Sequence, residues 1–167
     1  NHYGEEVCGD RVERKRREDG FLGVLADGMG SGVKANILST MGSTILSTML
    51  AGGETVESAV DVVVRSLPVC SERGLNYCTF SVVNIDEAGV AKLVEFDNPQ
   101  AWIIRNRQIV KLDRTQRTIE EKKIWESSML LVEGDVIVVT SDGAVNAGMD
   151  NRFSFGWNWD SVASWLC

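Results

Sequence analysis

The chain has 167 residues, a length that suits one domain able to bury a real core without covalent staples. Its 44% hydrophobic and 25% charged content is that of a globular domain, and no apolar run nears the roughly 18 residues of a membrane span. A formal net charge of -7 argues against nucleic acid as a partner, although it leaves room for a local basic patch.

The four cysteines, Cys8, Cys70, Cys78 and Cys167, and the single histidine, His2, show no metal-finger spacing. Zinc is therefore not expected. Free thiols in a reducing cytoplasm are, and His2 reads as solvated. The chain starts at Asn1 without methionine and stops at Trp165-Leu166-Cys167, so residues 1–167 read as a single domain that is a piece of a longer protein.

In chain order, residues 6–9 read as the end of a short strand closed by Asp10. The charge run 11–19 reads as a solvated hairpin, or alternatively as a basic lip that attracts an anionic substrate such as a phosphopeptide. Phe21 to Ala26 is apolar throughout and predicts a central strand. It ends in Asp27-Gly28-Met29-Gly30-Ser31-Gly32, where glycines let the backbone approach whatever sits at the sheet rim.

Several chemistries compete for that turn. A Walker loop needs a Gly-Lys-Ser/Thr ending that is absent, and the dinucleotide fingerprint needs a third glycine where Val33 stands. A plain glycine turn remains open. So does a site for a hard divalent cation, with Asp27 giving a carboxylate and Gly28 a carbonyl. A second Asp-Gly, at Asp142-Gly143 after the apolar run 136–140, favours a shared metal site over two coincidental turns.

After Gly32, Ile37, Met41, Ile45 and Met49 recur every four residues, with Leu38, Leu46 and Leu50 beside them, and predict a helix over about 33–50. Its other positions are small, a face on which another helix could pack closely. Gly52-Gly53 breaks it. Thr55 can cap a second helix whose buried stripe is Val56, Ala59, Val60, Val63, Val64 and Leu67, stopped by Pro68. Strands then follow. Residues 77–85 and 90–96 flank Asp86-Glu87-Ala88-Gly89, residues 102–105 and 108–112 flank Asn106-Arg107, and residues 129–132 and 136–140 flank Glu133-Gly134-Asp135, each read as a hairpin. Residues 114–125 read as polar and irregular. Trp157, Val162 and Trp165 can line a final helix capped near Asp160.

The segments Cys8-Gly9-Asp10, Ala26-Asp27-Gly28-Met29-Gly30-Ser31-Gly32 and residues 132–143 ending in Ser141-Asp142-Gly143 together resemble the metal-dependent type 2C protein phosphatases. The branch they resemble is that of the bacterial stage II sporulation protein E, which includes phosphatases of stress-response partner switching. The resemblance implies an α+β fold, a four-layer α-β-β-α sandwich of two antiparallel sheets flanked by helices. It implies hydrolysis of phosphoserine or phosphothreonine in a regulatory phosphoprotein, with two Mn2+ or Mg2+ ions. Asp27 would bridge both ions, Gly28 would give its carbonyl to one, Asp142 would be a terminal ligand of the other, and Asp10 would bind directly or through water. These three acids are the catalytic set. The helices over 33–67 match the family's regulatory pair and are a candidate partner or dimer contact.

The sequence departs from the family in two places. The branch has Gly-His followed by prolines on a middle strand, where this chain has Phe96-Asp97-Asn98-Pro99-Gln100. The family's closing Asp-Asp-x-Thr strand is absent, so either the last strand lies past Cys167 or Asp150 or Asp160 substitutes for its acid. These departures motivate a rival function, a catalytically weak or inactive phosphatase-fold sensor that docks through its helical pair; a third reading is a metal-dependent hydrolase of another phosphoester.

Overall fold

The structure, a computed structural model, describes residues 7–66, 78–147 and 157–167. Leu67, Pro68, Cys70, Tyr77 and Asp150 fall outside these ranges, so the expectations resting on them do too.

Among the described residues, nine strands form two antiparallel sheets. β1 (Asp10–Arg17), β2 (Gly20–Gly28), β3 (Cys78–Ile85), β4 (Val90–Phe96), β7 (Arg114–Ile119) and β8 (Lys122–Leu130) build a six-stranded sheet in the order β1-β2-β3-β4-β8-β7. β5 (Trp102–Arg105), β6 (Gln108–Val110) and β9 (Val136–Val138) build a three-stranded sheet in the order β6-β5-β9.

Alternation along the strands separates two cores. Leu22, Val24, Ala26, Phe80, Val82, Val94 and Phe96 point one way and bury against α1 (Gly32–Ala51) and α2 (Val56–Ser66). Val83, Leu93, Ile85 and Met129 point the other way and meet Ile103, Val110 and Ile137 of the second sheet. On the outer face of that sheet Trp102 packs against Val162 and Ala163 of α4 (Trp159–Leu166), with the Trp102 and Trp159 rings stacked 5.3 Å apart. The layers therefore run α-β-β-α, as the resemblance implied.

The charge run lies in a hairpin, as read, but mostly as one of its paired arms rather than as the connection. Residues 10–17 form edge strand β1, in full register with β2 from Asp10↔Asp27 to Arg17↔Gly20. Charged side chains on an edge are a usual defence against stray strand pairing. Here two of them also do local work. Lys15 Nζ donates to the Ser47 carbonyl at 3.2 Å, and Arg17 donates to the Leu50 carbonyl at 3.1 Å and to Asn84 Oδ1 at 2.9 Å. Cations placed on the last carbonyls of α1 complement the negative end of its dipole.

The apolar stripe read on α1 is buried only in its second half, where Leu46 and Leu50 are buried and Ile45 and Met49 pack against the core. Ile37 is 52% exposed and Met41 49%, whereas Ala35, Ser39, Gly42, Ser43, Leu46, Ser47 and Leu50 are buried. Short side chains let the helix lie close to the sheet. A Cβ on Gly42 would come within 3.0 Å of Cys78 Sγ, which leaves no room for a large residue there. The buried hydroxyls of Ser39, Ser43 and Ser47 donate to the carbonyls of Asn36, Thr40 and Thr44 at 3.1–3.3 Å, so a polar face is buried without orphaned donors. The second helix is as read, with Val56, Ala59, Val60, Val63 and Val64 buried and Thr55 Oγ1 accepting from Ser58 N at 3.1 Å.

Two further expectations are corrected. Residues 114–125 are not irregular. They hold β7 and the start of β8, joined at Glu120 and Glu121, both in the left-handed region (φ 47 and 69). Asn106 and Arg107 make the same kind of turn (φ 51 and 59) and were legible because Asn favours it. Residues 129–132 and 136–140 are not a hairpin either. β8 pairs with β4 in one sheet and β9 with β5 in the other, so the 131–135 turn crosses between layers, braced by Arg105 on Asp135 at 2.7 Å. In α4 the cap is Asn158, which accepts from Ser161 N at 3.0 Å, and Trp165 is 72% exposed rather than buried.

Candidate active site

Three strand ends and one short helix bring the site together. Asp10 opens β1 and Asp27 lies next to the end of β2, and the two are direct cross-strand partners. Directly opposed residues share a face, with Cβ atoms about 4.5–5.5 Å apart. Ser141 and Asp142 arrive from the other sheet, where the chain leaves β9 and starts the four-residue helix α3 (Asp142–Val145). Ser141 Oγ donates to Asp10 Oδ2 at 2.9 Å and ties the two sheets together at this rim.

Asp27 sits in the middle of the acids. Burial, then the charges and hydrogen bonds of Asp10 and Asp142, push its carboxyl up from 3.8 to about 7. Like charges in a partly desolvated place disfavour a further anion. The structure thus brings Asp10, Asp27 and Asp142 into one interacting group. Asp160 lies in the first turn of α4 and takes no part in that interaction.

Gly28 is required by packing. A Cβ there would fall 1.9 Å from the Ala35 carbonyl oxygen, because α1 begins directly against the end of β2. The Gly28 amide donates to the Gly9 carbonyl at 3.2 Å. The turn into α1 passes through Gly30 (φ 95) and Gly32 (φ 64), conformations that other residues rarely adopt.

Sequence reasoning assigned no role to the polar layer beside the acids. Thr79 is the cross-strand partner of Asp27 on β3. Its hydroxyl donates to Asn98 Oδ1 at 2.7 Å, and Asn98 Nδ2 donates to Ser81 Oγ at 3.1 Å. Asn98 therefore links the β4–β5 loop to the strand beside Asp27. Asp97, just before it, has φ 51, a conformation that glycine adopts most readily. Behind the loop, buried Glu95 accepts from Ala101 N at 2.6 Å and from Arg114, while burial pushes its carboxyl up. The only signal available in the sequence was the unusual Asp97-Asn98-Pro99 run itself.

The donor set suits a hard cation. It consists of carboxylates, and the hydroxyl of Thr140, next to Ser141, is buried without a hydrogen-bond partner among the described residues. Among those residues no three His, Cys, Asp or Glu side chains already stand in an ion-holding group, so the acids would have to draw closer around a metal. Cys78 offers no nucleophile nearby. Burial, then the charge of Asp27, pushes its thiol up to about 12.

The family model for stage II sporulation protein E (SpoIIE) matches residues 17–156. The chain belongs to this family. The matched span includes Asp27, Gly28 and Asp142 and begins after Asp10. No curated protein matches the sequence.

Solved structures show the same fold. The PP2C phosphatase domain, with a fragment of the regulatory domain, of the cell fate determinant SpoIIE from Bacillus subtilis has a TM-score of 0.75 at 21% identity, over 98% of this chain and 52% of that one. The RsbU and RsbW domains of a Mycobacterium tuberculosis protein give 0.68 at 20% identity, over 85% of this chain and 41% of that one. RsbX in complex with magnesium gives 0.65 at 19% identity, over 98% and 80%. The chain thus spans about half or less of the first two. The SpoIIE-family chain described here has a protein-phosphatase fold, with no helix among its described residues long and apolar enough to cross a membrane.

Proposed function

We propose that this SpoIIE-family chain is the catalytic domain of a metal-dependent phosphatase. It hydrolyses phosphoserine or phosphothreonine in a bacterial regulatory phosphoprotein of the cytoplasm, in sporulation or stress signalling. The observation that carries the reading is the meeting of Asp10, Asp27 and Asp142 at one sheet rim, with the Asp27 carboxyl raised to about 7 by burial and by its two neighbours.

Asp27, the Gly28 carbonyl and Asp142 would hold Mn2+ or Mg2+, with Asp10 binding directly or through water. A bound pair of such ions neutralises phosphate charge and lowers the pKa of water. The chain's own residues prepare the place. Asp27 lies between the other two acids, Ser141 fixes one oxygen of Asp10, and the Thr79–Asn98–Ser81 chain stiffens the strand beside Asp27. Magnesium bound to the similarly folded RsbX supports the choice of a hard ion.

The test is phosphate release from phosphoserine and phosphothreonine peptides, and from small phosphoesters, with Mn2+, Mg2+ or chelator. Metal-dependent release from peptides is expected, with Asp27→Ala losing essentially all of it and Asp142→Asn most of it. Full activity in Asp27→Ala, or indifference to chelator, would show the chemistry to be wrong. Preference for small esters would move the chain to another hydrolase class.

A sensor reading is favoured by one observation, the exposed Val33, Ile37 and Met41 on α1. That reading gains if a metal raises the melting temperature while no phosphoester is turned over.

A further inference from the structure

Asn98 stands in a braced loop. Across the base of the β4–β5 connection Glu95, 3% exposed, accepts from Ala101 N at 2.6 Å and from Arg114. Asn98 itself reaches back to β3. Its Nδ2 donates to Ser81 Oγ, which is fully buried, at 3.1 Å, and its Oδ1 accepts from Thr79 Oγ1 at 2.7 Å. An amide carries its donors at one end and its acceptor at the other, so the contact with Ser81 decides what Thr79 meets.

Thr79 and Asp27 are directly opposed across β3 and β2. The Cβ atoms of such a pair lie about 4.5–5.5 Å apart, close enough for a hydroxyl on one side to reach a carboxylate on the other. A threonine hydroxyl has a single proton to give. Here that proton goes to Asn98, and the side-chain hydrogen bonds that bear on Asp27 are those with Asp10 and Asp142.

We propose that Asn98 is a positioning residue for the metal site: by taking the Thr79 proton it keeps the Asp27 carboxylate free of a competing hydrogen bond, so that both oxygens are available to a divalent cation. The proposal rests on the reading of Asp27 as a metal ligand. Asn98 acts through Thr79, which turns lone pairs rather than a proton toward the rim. A hydroxyl released from Asn98 has the opposed carboxylate as an acceptor, and a bond to an ionised acceptor is stronger than one to a neutral amide. A cation arriving at Asp27 must then displace that bond.

The experiment measures Mn2+ binding by isothermal titration calorimetry, on the intact chain at neutral pH, for wild type, Asn98→Leu, Thr79→Val and the double variant. Asn98→Leu should weaken binding by roughly tenfold, the lower end of what outer partners of metal ligands are worth. Thr79→Val alone should change affinity by less than about twofold, because it removes the hydroxyl that Asn98 restrains. For the same reason the double variant should return to within about twofold of wild type, a strongly non-additive result. Asn98→Asp keeps an acceptor for Thr79 and should bind Mn2+ at least as tightly as wild type. Melting in chelator checks that each variant is folded. Asn98→Val, smaller and equally unable to accept, replaces Asn98→Leu if the latter is not.

A double variant as weak as Asn98→Leu, or weaker, overturns the proposal, since a merely structural role for Asn98 gives losses that persist or add. So does Asn98→Leu binding Mn2+ as tightly as wild type, or a loss in Asn98→Asp equal to that in Asn98→Leu. Mn2+ bound no better by wild type than by Asp27→Ala defeats the metal reading itself, and this proposal with it.

Discussion

Removing one negative charge from the acid cluster should stabilise the metal-free protein, and should do so only above mildly acidic pH. The perturbation is Asp27→Asn. The folded carboxyl titrates at about 7 against an ordinary 3.8, raised first by burial and then by Asp10 and Asp142. For an acid raised in this way, the folded state keeps a proton that the unfolded chain has released, so stability falls as pH climbs from about 4 to about 7 and then levels off. The shift corresponds to a ceiling of about 4 kcal/mol at 1.36 kcal/mol per unit. Asp27 is only half-buried, and solvent screening reduces this to about 1–2 kcal/mol. For a chain of this length that is about 3–6 °C in melting temperature. Thermal melts of wild type and variant in chelator, from pH 4 to pH 8, should coincide at the acid end and separate steadily to a plateau near pH 7.5. Mn2+ should reverse the order at neutral pH by stabilising the wild type more, because a bound cation inverts the local charge balance. A pH-independent difference, or a variant less stable than wild type in chelator at pH 8, would refute the clustering argument.

The buried face of α1 can be checked in urea. Leu46→Ala should cost about 2–5 kcal/mol, since Leu46 is fully buried, whereas Ile37→Ser with Met41→Ser should cost under about 1 kcal/mol because both are half exposed. Gly28→Ala should abolish cooperative unfolding or lower its midpoint sharply, because its Cβ would meet the Ala35 carbonyl at 1.9 Å. Serine at the exposed Cys8 and Cys167 should leave phosphate release unchanged. At buried Cys78 it should lower the urea midpoint without changing metal dependence.

The order of elements was legible wherever the chain gave a strong local signal. Gly52-Gly53, Asp86 to Gly89 and Asn106-Arg107 mark breaks whose backbone demands few residues meet, and each break lies where it was read. The failures share a cause. The Glu120-Glu121 turn uses the same left-handed backbone without its usual residues, so a hairpin passed as irregular chain. On α1, periodicity found a stripe that packs on the core only from Ile45 onward, while Ile37 and Met41 in its first half are exposed. Close approach at Gly42 and Cys78 decides the face, and that distance is a tertiary fact. Residues 129–140 looked like a hairpin because turn residues say that the chain reverses, not which sheet each arm joins.

The site shows the same division between local and tertiary information. Asp27 and Asp142 were visible because each ends an apolar run with Asp-Gly. Their meeting depends on β8 and β9 lying in different sheets, since only a crossing at 131–135 carries Asp142 over to the rim where β1 and β2 place Asp10 and Asp27. Asn98 was noted only as a departure, yet it holds Thr79 and Ser81, the polar side chains between the acids and buried Glu95. Along the inter-sheet face the chain thus changes from aliphatic packing at Val83 and Leu93, through hydrogen-bonded Ser81 and Thr79, to the clustered carboxylates. The acids gain rigidity from the apolar end without being buried in it, which keeps Asp27 near neutral pH in its titration and within reach of a solvated ion.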